Sequence, residues 1–221
     1  MSKLVWDQIN ERRYETGIEQ VALYKQVSGA YPAGVAWNGI TALNLTPSGA
    51  EPTPLYANNR KYLTLMSVEE LGGGTIEAYT YPDEWEECDG SAEAAPGVYI
   101  GQQARSTFGL VGKTLIGNDT EGTKHGYKLH LVWGCLASPA EETHSTVNDS
   151  PEAVTFSWEF STTPVEVDGY ASTSYLCIDS TKVEADKMAA LEAVLYGSDD
   201  VEPRLPLPAE VLTIVGATAA G

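Results

Sequence analysis

Residues 127–135 read Tyr-Lys-Leu-His-Leu-Val-Trp-Gly-Cys, placing Tyr127, Leu129, Leu131, Trp133 and Cys135 on one side of a two-residue repeat and Lys128 and His130 on the other. That period marks a strand with one buried face. A second run repeats it, with Val154, Phe156, Trp158 and Phe160 inward and Thr155, Ser157, Glu159 and Ser161 outward. Neither strand can cover its own apolar face. Both need an apolar sheet or helix opposite, so the chain reads as mainly β with a common core.

Further strands are expected over 18–26, 40–45, 61–68, 98–116, 170–179 and 211–215, from their apolar and β-branched content. In the first of these, Val21, Leu23 and the stem of Lys25 oppose Ala22 and Tyr24. Asn38-Gly39 forms a turn pair because both residues tolerate positive φ, and 117–122 reads as a turn for the same reason. The prolines of 47–59 indicate a shaped loop. Gly72-Gly73-Gly74 reads as a hinge or hairpin connection; it lacks the spacing and following Lys-Ser or Lys-Thr of a phosphate loop. One helix is expected from Thr181, capped by Thr181 with Glu184, striped by Val183, Lys187, Met188, Leu191 and Leu195, and stopped at Gly197. No internal repeat or domain boundary stands out over 1–221, so a single domain is expected.

Charge narrows the function. The net charge is -18, and no Lys or Arg occurs over 62–104 while Glu69, Glu70, Glu77, Asp83, Glu84, Glu86, Glu87, Asp89 and Glu93 do. An extensive phosphate-binding surface is disfavoured. These carboxylates are expected to face water, a partner's cations or an electronegative channel. Residues 83–89 do not follow the ligand order of a calcium loop. Cys88, Cys135 and Cys177 are odd in number and widely spaced, as reduced structural thiols are. His125 and His130 stand outside any compact Cys/His arrangement. The Asn118 and Asn148 sequons carry weight only on a secretory route, and no apolar run approaches the ~20 residues of a membrane span, so no membrane anchoring is expected.

Several stretches in one order carry a resemblance: GVAWNGI at 34–40, PSGAEPTPLYANN at 47–59, YTYPDEWEECDG at 79–90, FGLVGK at 108–113, KLHLVWGC at 128–135, and later LYGSD at 195–199 and PRLPLPAEV at 203–211. Together they resemble the major tail proteins, or tail tube proteins, of siphophages, the group from phages of Gram-positive bacteria. The resemblance implies a tail-tube-type β-sandwich or partly open barrel with one flanking α-helix near the C-terminus. It further implies a non-enzymatic subunit without cofactor or metal, assembling with itself into hexameric rings and stacked tubes. The partners implied are a tape-measure protein and other tail proteins, with DNA as non-specifically conducted cargo. The setting is the virion tail, assembled in the bacterial host cytoplasm. An arm contacting neighbouring rings is expected over 47–59.

On this reading the candidate assembly interface comprises Trp37, Asn38, Pro47, Glu51, Pro54, Tyr56, Phe108, Lys113, Leu205 and Pro206, in regions 34–59 and 108–124 and toward the tail. Trp37 fits an interface anchor and a core filler equally. Glu77, Asp83, Glu84, Glu86, Glu87, Asp89 and Glu93 are the candidate acidic lumen or outer surface; a lumen repelling DNA would suit the charge. Competing readings are a monomeric β-sandwich carbohydrate-binding module stacking sugars on Trp37, Tyr79, Tyr81 or Trp85, a small hydrolase built on Cys135 and His144, and a tail-terminator-like ring protein.

Overall fold

The computed structural model describes residues 3–144, 146 and 153–217. In chain order the elements are β1 (Arg13–Lys25), β2 (Gly34–Ala36), β3 (Ile40–Ser48), β4 (Pro52–Ala57), β5 (Arg60–Met66), β6 (Glu70–Ala78), α1 (Trp85–Asp89), β7 (Ala92–Ala95), β8 (Val98–Ile100), β9 (Phe108–Asn118), β10 (Gly122–Ala137), β11 (Phe156–Thr162), β12 (Tyr175–Asp179), α2 (Ala185–Tyr196) and α3 (Pro208–Val215). The fold is mainly β. Its main sheet runs β2-β1-β9-β10-β11-β6-β3, with β12 also paired to β10, while β4-β5 and β7-β8 form separate two-stranded ladders. The sheet does not close into a barrel: β2 and β3 end the path without pairing to each other.

The long alternating strand is the centre of this arrangement. β10 pairs along one side with β9, and along the other with β12 at Lys128 to Val132 and then with β11 at Cys135 to Ala137. Between those two partners the register with β9 shifts, and Gly134 adopts φ +65. A β-carbon there would lie 2.2 Å from the Thr163 carbonyl oxygen, whose own N–H donates to Gly134 at 3.0 Å. An extra residue of this kind bends a strand and reverses the side its later side chains take. Leu129, Leu131 and Trp133 therefore enter one core, and Cys135 enters the other. The strict alternation that puts Cys135 beside Trp133 fails for that reason.

Two cores result. In the first, β11, β6 and β3 lie over β1 and β9, joining Ile76, Trp158 and Phe160 to Leu23, Phe108 and Leu110. The residues of this half-sheet are held close by missing side chains. At Gly74 a β-carbon would stand 2.1 Å from the Asn44 carbonyl oxygen and 2.7 Å from the Phe160 ring. Gly72 to Gly74 thus form the middle of β6, not the hinge or hairpin connection expected from three glycines. Their requirement is close approach of neighbouring strands. In the second core, Leu129, Leu131 and Trp133 meet Met188, Leu191 and Leu195 of α2 and Val211 of α3. Trp133 Nε1–H donates to the Pro206 carbonyl at 3.0 Å and the Tyr24 hydroxyl to the Leu195 carbonyl at 2.6 Å, so the polar tips of both rings are satisfied.

The helices depart from expectation in number and in capping. Three occur among the described residues, not one. Residues 211–215 complete α3 instead of forming a strand: Pro208 sits at its start, where no N–H is needed, and Gly216 closes it at φ +74. Burial of Val211 against α2 outweighs the β preference of the Val, Thr and Ile residues. The helix expected from Thr181 begins at Ala185, with Glu184 as N-cap and no side-chain cap bond. The Thr181 hydroxyl donates to Asp179 at 2.7 Å, which removes it from the expected capping box. Val154 precedes β11 and is exposed.

Candidate assembly surfaces

The β4-β5 hairpin stands outside both cores. Every one of its residues is exposed, and its strands pair only with each other. The turn at its end is Asn58-Asn59, both at positive φ (51 and 57), the geometry of a two-residue hairpin. Across the ladder Leu55 faces Leu63 and Thr53 faces Leu65, which gathers Leu55, Leu63 and Leu65 on one side. Leu65 is 54% exposed and Met66 68%. Pro52 and Pro54 lie in β4 and have no N–H, so its outer edge is poorly equipped to add a strand. At the hairpin's base Gly49 comes so close to Val68 that a β-carbon would be 2.1 Å from its carbonyl oxygen. Isolated two-stranded hairpins are at best marginal in water, and this one presents an apolar face without a cover among the described residues.

The second hairpin, β7-β8, is likewise exposed throughout, including Val98, Tyr99 and Ile100. Ahead of β1, Leu4, Val5, Trp6 and Ile9 expose apolar side chains on a segment tied down by Asn10 N–H to Asp119 at 2.9 Å. At the sheet ends, β3 leaves one side of the ladder unpaired, whereas on the outer side of β2 the Gly34 N–H donates to the Pro203 carbonyl at 2.9 Å.

The acidic stretch is organised by α1. Trp85 and Cys88 are buried, and the Trp85 ring packs on Trp37 at 4.7 Å, Phe108 at 5.1 Å and Trp158 at 5.3 Å. This anchor turns Asp83, Glu84 and Glu87 outward. Glu87 meets Lys25 at 2.9 Å. Asp89 is half-buried: burial raises its carboxyl above the usual range, Arg105 opposes that, and Glu142 and Glu86 add to it. Desolvation and then the fields of Glu93, Asp83 and Glu86 raise the Tyr99 hydroxyl. Glu93 stands opposite Tyr99 in the β7-β8 ladder, and α1 runs into β7 through Gly90 and Ser91, so the acidic side chains of the two elements are neighbours. Glu93 also accepts from Gly97 N–H at 3.1 Å, and Glu77 lies on β6 between the inward residues Ile76 and Ala78.

The interface candidates divide by burial. Trp37, Phe108 and Leu205 fill the chain's own cores, and Pro206 is buried with its carbonyl on Trp133. Trp37 Nε1–H donates to the Thr80 carbonyl at 2.9 Å, so the core reading of that ring holds within the protomer. Lys113 lies 4.2 Å over the Tyr127 ring and 3.7 Å from Glu19, on the helix-covered face. Asn38, Pro47, Glu51, Pro54 and Tyr56 are exposed. The signal that would have located the β4-β5 hairpin was Asn58-Asn59 between two β-prone runs. The small-residue tail expected at the interface lies largely outside the described residues, as does the Asn148 sequon.

Other chemistry is separated in space or satisfied. Of the aromatic platform, Trp37 and Trp85 are buried and Tyr81 packs edge-on against Phe156 and Trp158 at 5.3 and 5.5 Å, leaving Tyr79 exposed. Cys135 is fully buried, which pushes its thiol up, while His144 is exposed near Glu142 at 3.7 Å. His130 bonds Thr114 and Tyr175, each at 2.8 Å, and burial lowers its pKa. Among the described residues no group of His, Cys, Asp and Glu is placed to hold a metal ion, and no helix is long and apolar enough to cross a membrane. No protein-family model matches the chain, and no curated protein matches it.

Proposed function

We propose that the chain is the structural subunit of a siphophage tail tube, assembling with itself into stacked rings that form a hollow conduit for genome delivery. The observation that carries this reading is the β4-β5 hairpin: over 52–66, overlapping the 47–59 stretch where the motif resemblance places an inter-ring arm, the chain builds a bare ladder with an uncovered leucine face. An element that is marginal alone gains its stability from a neighbour. In this reading the doubled sheet backed by helices is the tail-tube form of β-sandwich, and the free side of β3 pairs with a neighbour around the ring. Six subunits per ring, a tape-measure partner and a place in the virion tail follow from the resemblance. DNA would pass as cargo, without sequence-specific contacts, through a tube whose subunits each carry -18.

The test is light scattering coupled to size exclusion, with negative-stain electron microscopy of the same fractions, alone and with the proteins that initiate a tail. Regular hollow tubes that lengthen with concentration are expected. A product that stops at one ring would indicate a terminator instead, and a monomer under both conditions would overturn the proposal.

A further inference from the structure

The chain exposes 14009 Å² of surface, whereas a compact monomer of 23.7 kDa exposes about 9,800 Å². The surplus of about 4,000 Å² is several times the ~800 Å² that each partner contributes to a standard interface. Three elements carry large apolar side chains into that surface: the β4-β5 leucine face, β8 with Val98 and Ile100, and the segment ahead of β1. A partner seated on one of them leaves the other two bare. Copies around a ring and in the rings on either side surround each chain and supply covers in equal number.

The third element is the plainest to read. Over 3–9 the chain runs Lys-Leu-Val-Trp-Asp-Gln-Ile, and Leu4, Val5, Trp6 and Ile9 are all exposed. Segments that stay in water as free tails are poor in such residues. This one is fixed at its base, where Asn10 N–H donates to Asp119 at 2.9 Å, Arg12 lies 3.9 Å from the same carboxylate, and Arg12 Nε–H donates to the Asp7 carbonyl at 3.0 Å. It therefore leaves the body beside the β9-β10 turn with its apolar side chains uncovered. Trp6 is 74% exposed, whereas Trp37, Trp85, Trp133 and Trp158 are at most 4% exposed. A large ring buries much area for little lost rotamer freedom, so it is the member of the segment best suited to anchor a contact.

We propose that segment 4–9 packs against a second copy of this chain, with Trp6 as its anchor. This deepens the subunit reading and rests on it. The contact is separate from the β4-β5 hairpin, so each subunit carries two apolar projections. Assembly moves the one water-facing tryptophan of the five into an apolar surrounding.

Tryptophan fluorescence of the full-length protein tests the contact, because in the free subunit the emission open to the neutral quencher acrylamide is that of Trp6. Measured from dilute to concentrated protein, alone and with the proteins that initiate a tail, that emission should shift to the blue and escape quenching in step with light scattering. Trp6→Ala should weaken association by at least about tenfold and leave the urea unfolding midpoint of the free subunit unchanged. Leu4→Asp with Ile9→Asp should weaken it as much while keeping the reporter. Assemblies in which Trp6 stays as open to acrylamide as in the free subunit, or that form equally well from Trp6→Ala, would overturn this contact while leaving the subunit reading in place. Protection of Trp6 by an added protein while the chain itself stays monomeric would overturn both, as would a monomer with open Trp6 under every condition.

Discussion

Trp37 and Trp85 touch in the first core at 4.7 Å but differ at one atom. Trp37 Nε1–H donates to Thr80, whereas the buried Trp85 Nε1 has no partner among the described residues. Replacing Trp37 by Phe leaves the Thr80 carbonyl short of a donor and should cost about 2–3 kcal/mol, against about 1–2 for Trp85→Phe, where mainly ring volume is lost. Urea unfolding of the two variants measures that order, and equal losses would contradict it. Both rings carry the same sequence signal, an aromatic residue in a loop-rich stretch, so their hydrogen bonding was not legible before the chain was folded. His130 makes a second residue-scale prediction. Burial lowers its folded-state pKa below the ordinary 6.5, so its contribution to stability is complete above that value and is lost as pH falls through the folded pKa. The stability advantage of the wild type over His130→Gln should therefore shrink between about pH 7 and about pH 5. Denaturant titrations across that range check it.

The elements were legible where period and turn chemistry agreed. β10 and β11 follow the alternation over most of their lengths, and the turn at 117–122 joins β9 to β10 as its residues suggest. What misled was residue preference stripped of its neighbours: three glycines suggest freedom, yet β6 uses them so that β3, β6 and β11 can approach. The bulge at Gly134 is the sharpest case, because a single residue redirects Cys135 from one core to the other. Gly134→Ala should destabilise by about 2–4 kcal/mol, through positive φ and a clash with the Thr163 carbonyl. Thermal unfolding reads that loss. Over 47–59 the prolines suggest a shaped loop, whereas 52–57 is strand β4, and the hairpin was not visible because its pairing depends on β5 as well. Replacing 52–66 by a short Gly-Ser connection should leave the cores intact, with unchanged near-ultraviolet circular dichroism, and abolish ring stacking in electron microscopy. Loss of the near-ultraviolet signal would show that the hairpin supports the protomer instead.

At the scale of the whole molecule the net charge of -18 acts over distances that no single ion pair reaches. The Debye length falls from ~30 Å at ~10 mM salt to ~8 Å at ~150 mM, so repulsion between copies weakens across that range while groups in direct contact stay paired. Self-association should therefore rise from low to physiological salt, as scattering at fixed protein concentration would report; a steady fall would mean that attraction between charges dominates at all distances. The sequence by itself determined the β-rich class, the acidic character and the places where strands alternate, because period and composition are local properties of the chain. Tertiary structure alone decided how one sheet doubles over two cores, that 208–215 is a helix, that Trp37 and Leu205 are interior, and that 52–66 projects as an uncovered hairpin. Each of those depends on which distant segment lies opposite, and the energy of burial is settled only when both partners are in place.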